Sequence, residues 1–213
     1  MKTLLAIMWI AVGTLSCLAQ GTVVFNNNVP GKVVSHVYLE RADFPNPPGV
    51  GNGPNDYPAG FKDWSRAVPI PGDLFSAQLY AEEGGIFVPA SQRTTFLTGA
   101  EAGFLKPFVA TLSGVPADSA AVTLQLRVWY SAWPTWEQAF DNFDPNMVSP
   151  SFTIHNVGGN VNPPAYLTGL QSFAVPVLDL MIPEPSSLSL LLVGGAGMLL
   201  RRRAAIQRRK AVA

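Results

Sequence analysis

Cysteine is all but missing from this sequence of 213 residues, Cys17 being the only one. It lies in the apolar opening segment, so a chain cleaved after Ala19 keeps no thiol. Disulfides, thiol catalysis and thiolate metal sites are then excluded. Histidine is nearly as scarce. His36 and His155 stand singly on predicted strands, without a His-x-x-x-His spacing, and zinc is poorly supported. No serine occupies a Gly-x-Ser-x-Gly frame and no glycine-rich phosphate loop occurs. The sequence therefore predicts neither an enzyme nor a cofactor.

Basic charge is sparse through most of the chain. The 14 basic and 14 acidic residues balance formally, but six of the basic ones crowd the last thirteen positions. Residues 20–182 hold seven basic against thirteen acidic residues, a net charge of about −6. An acidic body without basic clusters argues against nucleic acid, which needs concentrated Lys and Arg to neutralise phosphates. Long helices are disfavoured too, because 19 prolines and 19 glycines punctuate the sequence.

What is present begins with targeting signals. Lys2 is followed by an apolar run over residues 4–15 and then by Ser16-Cys17-Leu18-Ala19. Small residues at Cys17 and Ala19 suit signal peptidase, and residues 1–19 read as a signal peptide. A retained anchor is the competing reading, but the run falls short of the roughly 20 residues a spanning helix needs. Lipidation at Cys17 would want a leucine where Thr14 stands.

Near the other end, Pro183-Glu184-Pro185 precedes SSLSLLLVGGAGMLL and then Arg201, Arg202 and Arg203. The apolar stretch 188–200 makes about 20 Å of helix, thin against a hydrocarbon core of about 30 Å. Flanking serines and snorkelling arginine stems extend it to a predicted transmembrane helix over about 186–200. The prolines prevent an earlier start. The arginines of the tail 201–213 hold that side in the cytoplasm, which leaves the body outside the inner membrane.

The tripeptide, the short apolar helix with its glycine step and the arginine cluster, in this order, resemble the PEP-CTERM sorting domain of Gram-negative bacteria. The resemblance spans about residues 182–210. It implies that Pro183, Glu184 and Pro185 are read by an exosortase, a membrane-embedded transpeptidase-like enzyme that delivers its substrate to the cell surface or extracellular matrix. Weaker likenesses in the body (GTVVFNN from Gly21, FSAQLYA from Phe75, RVWY from Arg127 and LQSF from Leu170) are similar to exported PEP-CTERM proteins of Verrucomicrobia and related phyla. They imply a location and an all-β fold, and carry no catalytic residues.

Residues 20–180 suit one exported domain, with 181–213 as the sorting signal. Residues 121–130 alternate with period two, Val122, Leu124, Leu126, Val128 and Tyr130 on one side and Thr123, Gln125, Arg127 and Trp129 on the other. Shorter candidates lie at 22–26, 32–40, 75–81, 93–97, 108–112, 151–155 and 171–178. About eight strands with turn-rich joints predict an antiparallel β-sandwich. Residues 43–71, with seven prolines, read as a long irregular loop. A helical turn or two is expected after Pro134 or Thr135, ending at Asp144-Pro145.

The candidate chemistry gathers in 129–146. Trp133 and Trp136 lie among Trp129, Tyr130 and Phe140, and aromatic faces beside acids on a sandwich rim are fit to stack on sugar rings. The competing role is to cover the end of the sandwich as a small core. Asp141 and Asp144, with Asn146, offer the hard oxygen ligands of calcium but lack the EF-hand order. Glu82-Glu83 before Gly84-Gly85 reads as a solvated hairpin tip. The expected protein is a non-enzymatic structural or adhesive surface protein, with signal peptidase, an exosortase, the inner membrane and exopolysaccharide as its partners. A carbohydrate-binding module is the alternative.

Overall fold

Alternation is cleanest in the strand Ala121–Tyr130, and it decides where the core lies. In the computed structural model, which describes residues 19–40 and 49–176, Val122, Leu124, Leu126 and Val128 of this strand are buried on one face. The segments 1–18 and 177–213 lie outside the described residues. With them lie the signal peptide, Pro183-Glu184-Pro185, the helix expected over 186–200 and the Arg201, Arg202, Arg203 cluster. No helix among the described residues is long and apolar enough to cross a membrane.

The described chain is mostly β, with several antiparallel sheets and a single α-helix. Its strands are β1 (Gln20–Phe25), β2 (Asn28–Val29), β3 (Val33–Val34), β4 (Val37–Glu40), β5 (Val68–Pro69), β6 (Phe75–Glu83) and β7 (Ile86–Thr95). They continue with β8 (Phe108–Pro116), β9 (Ala121–Tyr130), β10 (Asn146–Val148), β11 (Phe152–His155), β12 (Ala165–Tyr166) and β13 (Phe173–Pro176). The helix α1 is Trp136–Asp141.

The largest sheet runs β10-β9-β6-β7, with β11 also paired to β9. Here β10 and β11 lie end to end along one edge of β9. The break between them is Ser149-Pro150, where proline brings no N–H to the ladder. Ser149 bridges it: its N–H donates to the Leu126 carbonyl at 2.8 Å, and its Oγ accepts from the Leu126 N–H at 2.9 Å. A second sheet, β12-β1-β8, and a third, β13-β4-β5, each contain one parallel pair. Val23 and Phe25 of β1, Leu112 of β8, Leu79 of β6, Leu126 of β9 and Phe173 of β13 meet in one buried cluster. All three sheets therefore share a core.

Three boundaries differ most from the sequence reading, and the short strands β5, β10 and β12 were not among the expected ones. The single strand expected over 32–40 is two, because the chain changes partners at Ser35 and His36. Asn27, wholly buried, forces the step: its Nδ2 donates to the carbonyls of Ser35 and Gly103, and its Oδ1 accepts from the Leu105 N–H. The strand expected at 93–97 begins earlier, at Ile86. Pro89 interrupts its pattern but is tolerated, since β7 ends the order of its sheet and a missing donor can face away from the ladder. The strand expected over 108–112 runs on to Pro116, as β8, with Val115 buried near its end. The tip between β6 and β7 is the expected one. Gly84 and Gly85 both take positive φ, 60° and 85°, as the two-residue hairpin turn requires.

The second face of the large sheet is covered too. Ser76 and Tyr80 of β6 and Trp129 of β9 point away from the shared core yet are buried. Residues 131–145, including α1, lie over them. Thr135 caps α1, its Oγ1 accepting from the Gln138 N–H at 3.3 Å.

Candidate functional site

Trp129, Tyr80 and the segment that carries Trp133 and Trp136 meet on this second face. Register sets Gln78 opposite Arg127 and Ser76 opposite Trp129. The Arg127 guanidinium lies 3.9 Å from the Tyr80 ring centre and 4.5 Å from that of Trp136. Glu137 closes the group, its Oε1 accepting from the Tyr80 hydroxyl at 3.0 Å and from Arg127 Nη1 at 3.3 Å. Burial, with the Glu137 charge second, pushes the Tyr80 hydroxyl well above the ordinary phenol range. It stays protonated and donates.

The rim tryptophans are thus engaged. Trp136 stacks on Phe140 at 5.0 Å as well as meeting Arg127, and its Nε1 is buried without a hydrogen-bond partner. Trp133 is half-buried. Its Nε1 donates to the Asp144 carboxylate, and its carbonyl accepts from Trp129 Nε1 at 2.9 Å. Trp136 is thus held by Arg127 and Phe140, and Trp133 by Trp129 and Asp144. Asp141 is exposed as the last residue of α1, and the Asp144 carboxylate is committed to Trp133. Among the described residues no group of three or more His, Cys, Asp and Glu is placed to hold a metal ion.

The second constellation escaped the sequence reading. Residues 49–66 have almost no regular structure but are densely bonded. Val50 bridges to Phe173 and Tyr57 to Val34, and the Gly51 N–H donates to the Ser172 carbonyl at 2.8 Å. At the centre is Asp56, whose side chain is 2% exposed. Its Oδ1 meets His36 Nδ1 at 2.8 Å, and its Oδ2 accepts from the Gly53 N–H at 2.6 Å and the Ser172 hydroxyl at 2.8 Å. Burial alone raises a carboxyl's pKa, yet the three donors outweigh it and hold Asp56 below its ordinary value.

Ser, Asp and His in contact invite a comparison with a nucleophilic triad, and the order of contacts answers it. A triad needs the base on the serine hydroxyl, with histidine in the middle. Here aspartate is in the middle. Ser172 is wholly buried, and its Oγ accepts from the His36 backbone N–H at 2.7 Å while donating to Asp56. This arrangement ties three distant segments together and activates no hydroxyl.

Beside this clasp opens a cleft of about 480 Å³, lined by Tyr38, Gly53 to Asp56 and Phe61 to Ser65. Tyr38 and Trp64 stack at 4.5 Å, nearly parallel, and Trp64 Nε1 donates to the Gly51 carbonyl at 3.0 Å. Burial, then the Asp56 charge, pushes the Tyr38 hydroxyl up to about 12. Lys62 Nζ lies 5.5 Å from the Trp64 ring centre. Phe61 stands wholly exposed at the edge of the cleft, with a relative exposure of 104%. The local signal that would have found this place is aromatic–charged–aromatic, Phe61-Lys62-Asp63-Trp64, set between glycines and prolines. No family model, curated protein or solved structure matches the chain.

Proposed function

We propose that this chain is an exported, non-enzymatic surface or matrix protein, a β-sandwich carried out behind a signal peptide and delivered by PEP-CTERM sorting. The observation that carries the reading is the run from Pro183 to Lys210: Pro-Glu-Pro, a short apolar stretch and an arginine cluster, in that order. The charge division supports it, since the basic tail accounts for the neutral sum and leaves an acidic body suited to the outside. The mostly β body and the core shared by its sheets are compatible with an all-β exported domain. Signal peptidase and an exosortase are the processing partners. The body contributes a structural or adhesive surface.

Glu184→Ala tests the reading in cells. Surface or matrix fractions should contain the wild type, and the variant should accumulate unprocessed in the inner membrane. A variant delivered and processed like the wild type would remove the tripeptide from the account. An organism whose genome holds no exosortase would remove the sorting route itself.

A further inference from the structure

We infer that the cleft beside the clasp is a binding site for a neutral sugar unit of a polysaccharide, with Phe61 as its stacking platform. Its volume of about 480 Å³ falls within the roughly 300–1,000 Å³ of small-molecule sites. Its chemistry is mixed in the way a polyhydroxyl ring demands. Lys62 donates, Asp63 accepts, Asn55 and Ser65 do both, and an aromatic ring stands among them.

Phe61 is the decisive residue. A phenyl ring left wholly in water forgoes the roughly 1.5–3 kcal/mol that burial brings, so its position at the lip of a polar cleft wants a reason. Its backbone is held on both sides: the Gly60 N–H donates to the Gly53 carbonyl at 2.9 Å, and the Lys62 N–H to the Asn52 carbonyl at 3.0 Å. Gly60 itself runs so close to Asn52 that a Cβ would lie 2.1 Å from the Asn52 carbonyl oxygen. The backbone that carries the ring is therefore held in place, while the ring itself stays free of the fold. The rim residues Trp133 and Trp136 lack this freedom.

Charge selects among ligands. Asp56 and Asp63 outnumber Lys62 on the lining, which disfavours anionic sugars. A cationic ligand would have to displace Lys62 from the Trp64 ring. A neutral ring meets neither obstacle. The inference rests on the exported reading only for where a polysaccharide is encountered. Binding in the test tube is independent of sorting, so either can fail alone.

The test uses the full chain in a sugar-free zwitterionic detergent, with soluble β-glucan, xylan and galactomannan as neutral probes and alginate as the anionic one. Affinity electrophoresis should show retardation by at least one neutral polymer. Phe61→Ala should weaken it about tenfold, the equivalent of 1.4 kcal/mol, while its melting temperature stays at the wild-type value. Phe143→Ala, which removes another exposed ring, should bind as the wild type does. No retardation by any neutral polymer, retardation by alginate alone, or full binding by Phe61→Ala would overturn the inference. So would sedimentation showing that Phe61 holds two copies of the chain together.

Discussion

Two irregular regions of this molecule are rich in aromatic rings, and they are anchored by different means. In 131–146 the tryptophans are consumed by the fold, Trp133 bonded to Asp144 and Trp136 lying against Arg127 and Phe140, and the ring left exposed is that of Phe143, just past the helix. In 49–66 the anchoring is polar, through Asp56, and it leaves Phe61 bare. The density of aromatic residues in a sequence is therefore a poor guide to which ring is free. What matters is what else holds the segment in place.

The sharpest way to break this contrast is to remove the clasp. Asp56→Ala leaves the His36 ring, the Ser172 hydroxyl and the Gly53 N–H without their acceptor, and should cost about 3 kcal/mol. Thermal unfolding would record a fall of about 6–12 °C for a domain of this size. Next is Arg127→Ala, which strips Tyr80 and Trp136 of their shared cation and leaves a gap beneath α1. About 2 kcal/mol is expected, measured by urea denaturation. Asp144→Ala, which frees only the half-buried Trp133 indole, should cost about 1 kcal/mol. Smallest is Phe61→Ala, within about 0.5 kcal/mol of the wild type.

Acid should separate the regions as well. Asp56 is held below its ordinary pKa, so its stabilising share is complete above the unfolded value of about 3.9 and is lost as pH falls from there towards the folded value. Stability measured from pH 6 down to pH 2 should decline in that acid window, and less steeply in Asp56→Asn. A decline of equal steepness in the variant would assign the acid sensitivity to other carboxylates.

Much of the frame was legible beforehand. Strand β9 announced itself because one face is uniformly apolar, and α1 because Thr135 caps it and Asp144-Pro145 follows its end. Gly84-Gly85 marked a tip that admits only positive φ. The break at Ser35 and His36 was hidden, since it depends on Asn27 reaching across to Gly103 and Leu105. The clasp was hidden for the same kind of reason: Asp56 lies 20 residues from His36 and 116 from Ser172, and no local period reports such a meeting. At the rim the partners of the tryptophans were hidden as well. Arg127 and Trp129 share the face of β9 opposite its apolar one, and a cation there, close in sequence to the rim tryptophans, was the available hint.

The claim that one carboxylate organises residues 49–66 is open to amide hydrogen exchange on the wild type and Asp56→Ala side by side. The amides of Gly51, Gly53 and Tyr57 should exchange slowly in the wild type and rapidly in the variant, while those of β6 and β9 stay protected in both. Equal exchange of the loop in the two proteins, or loss of protection throughout the sheets of the variant, would contradict it.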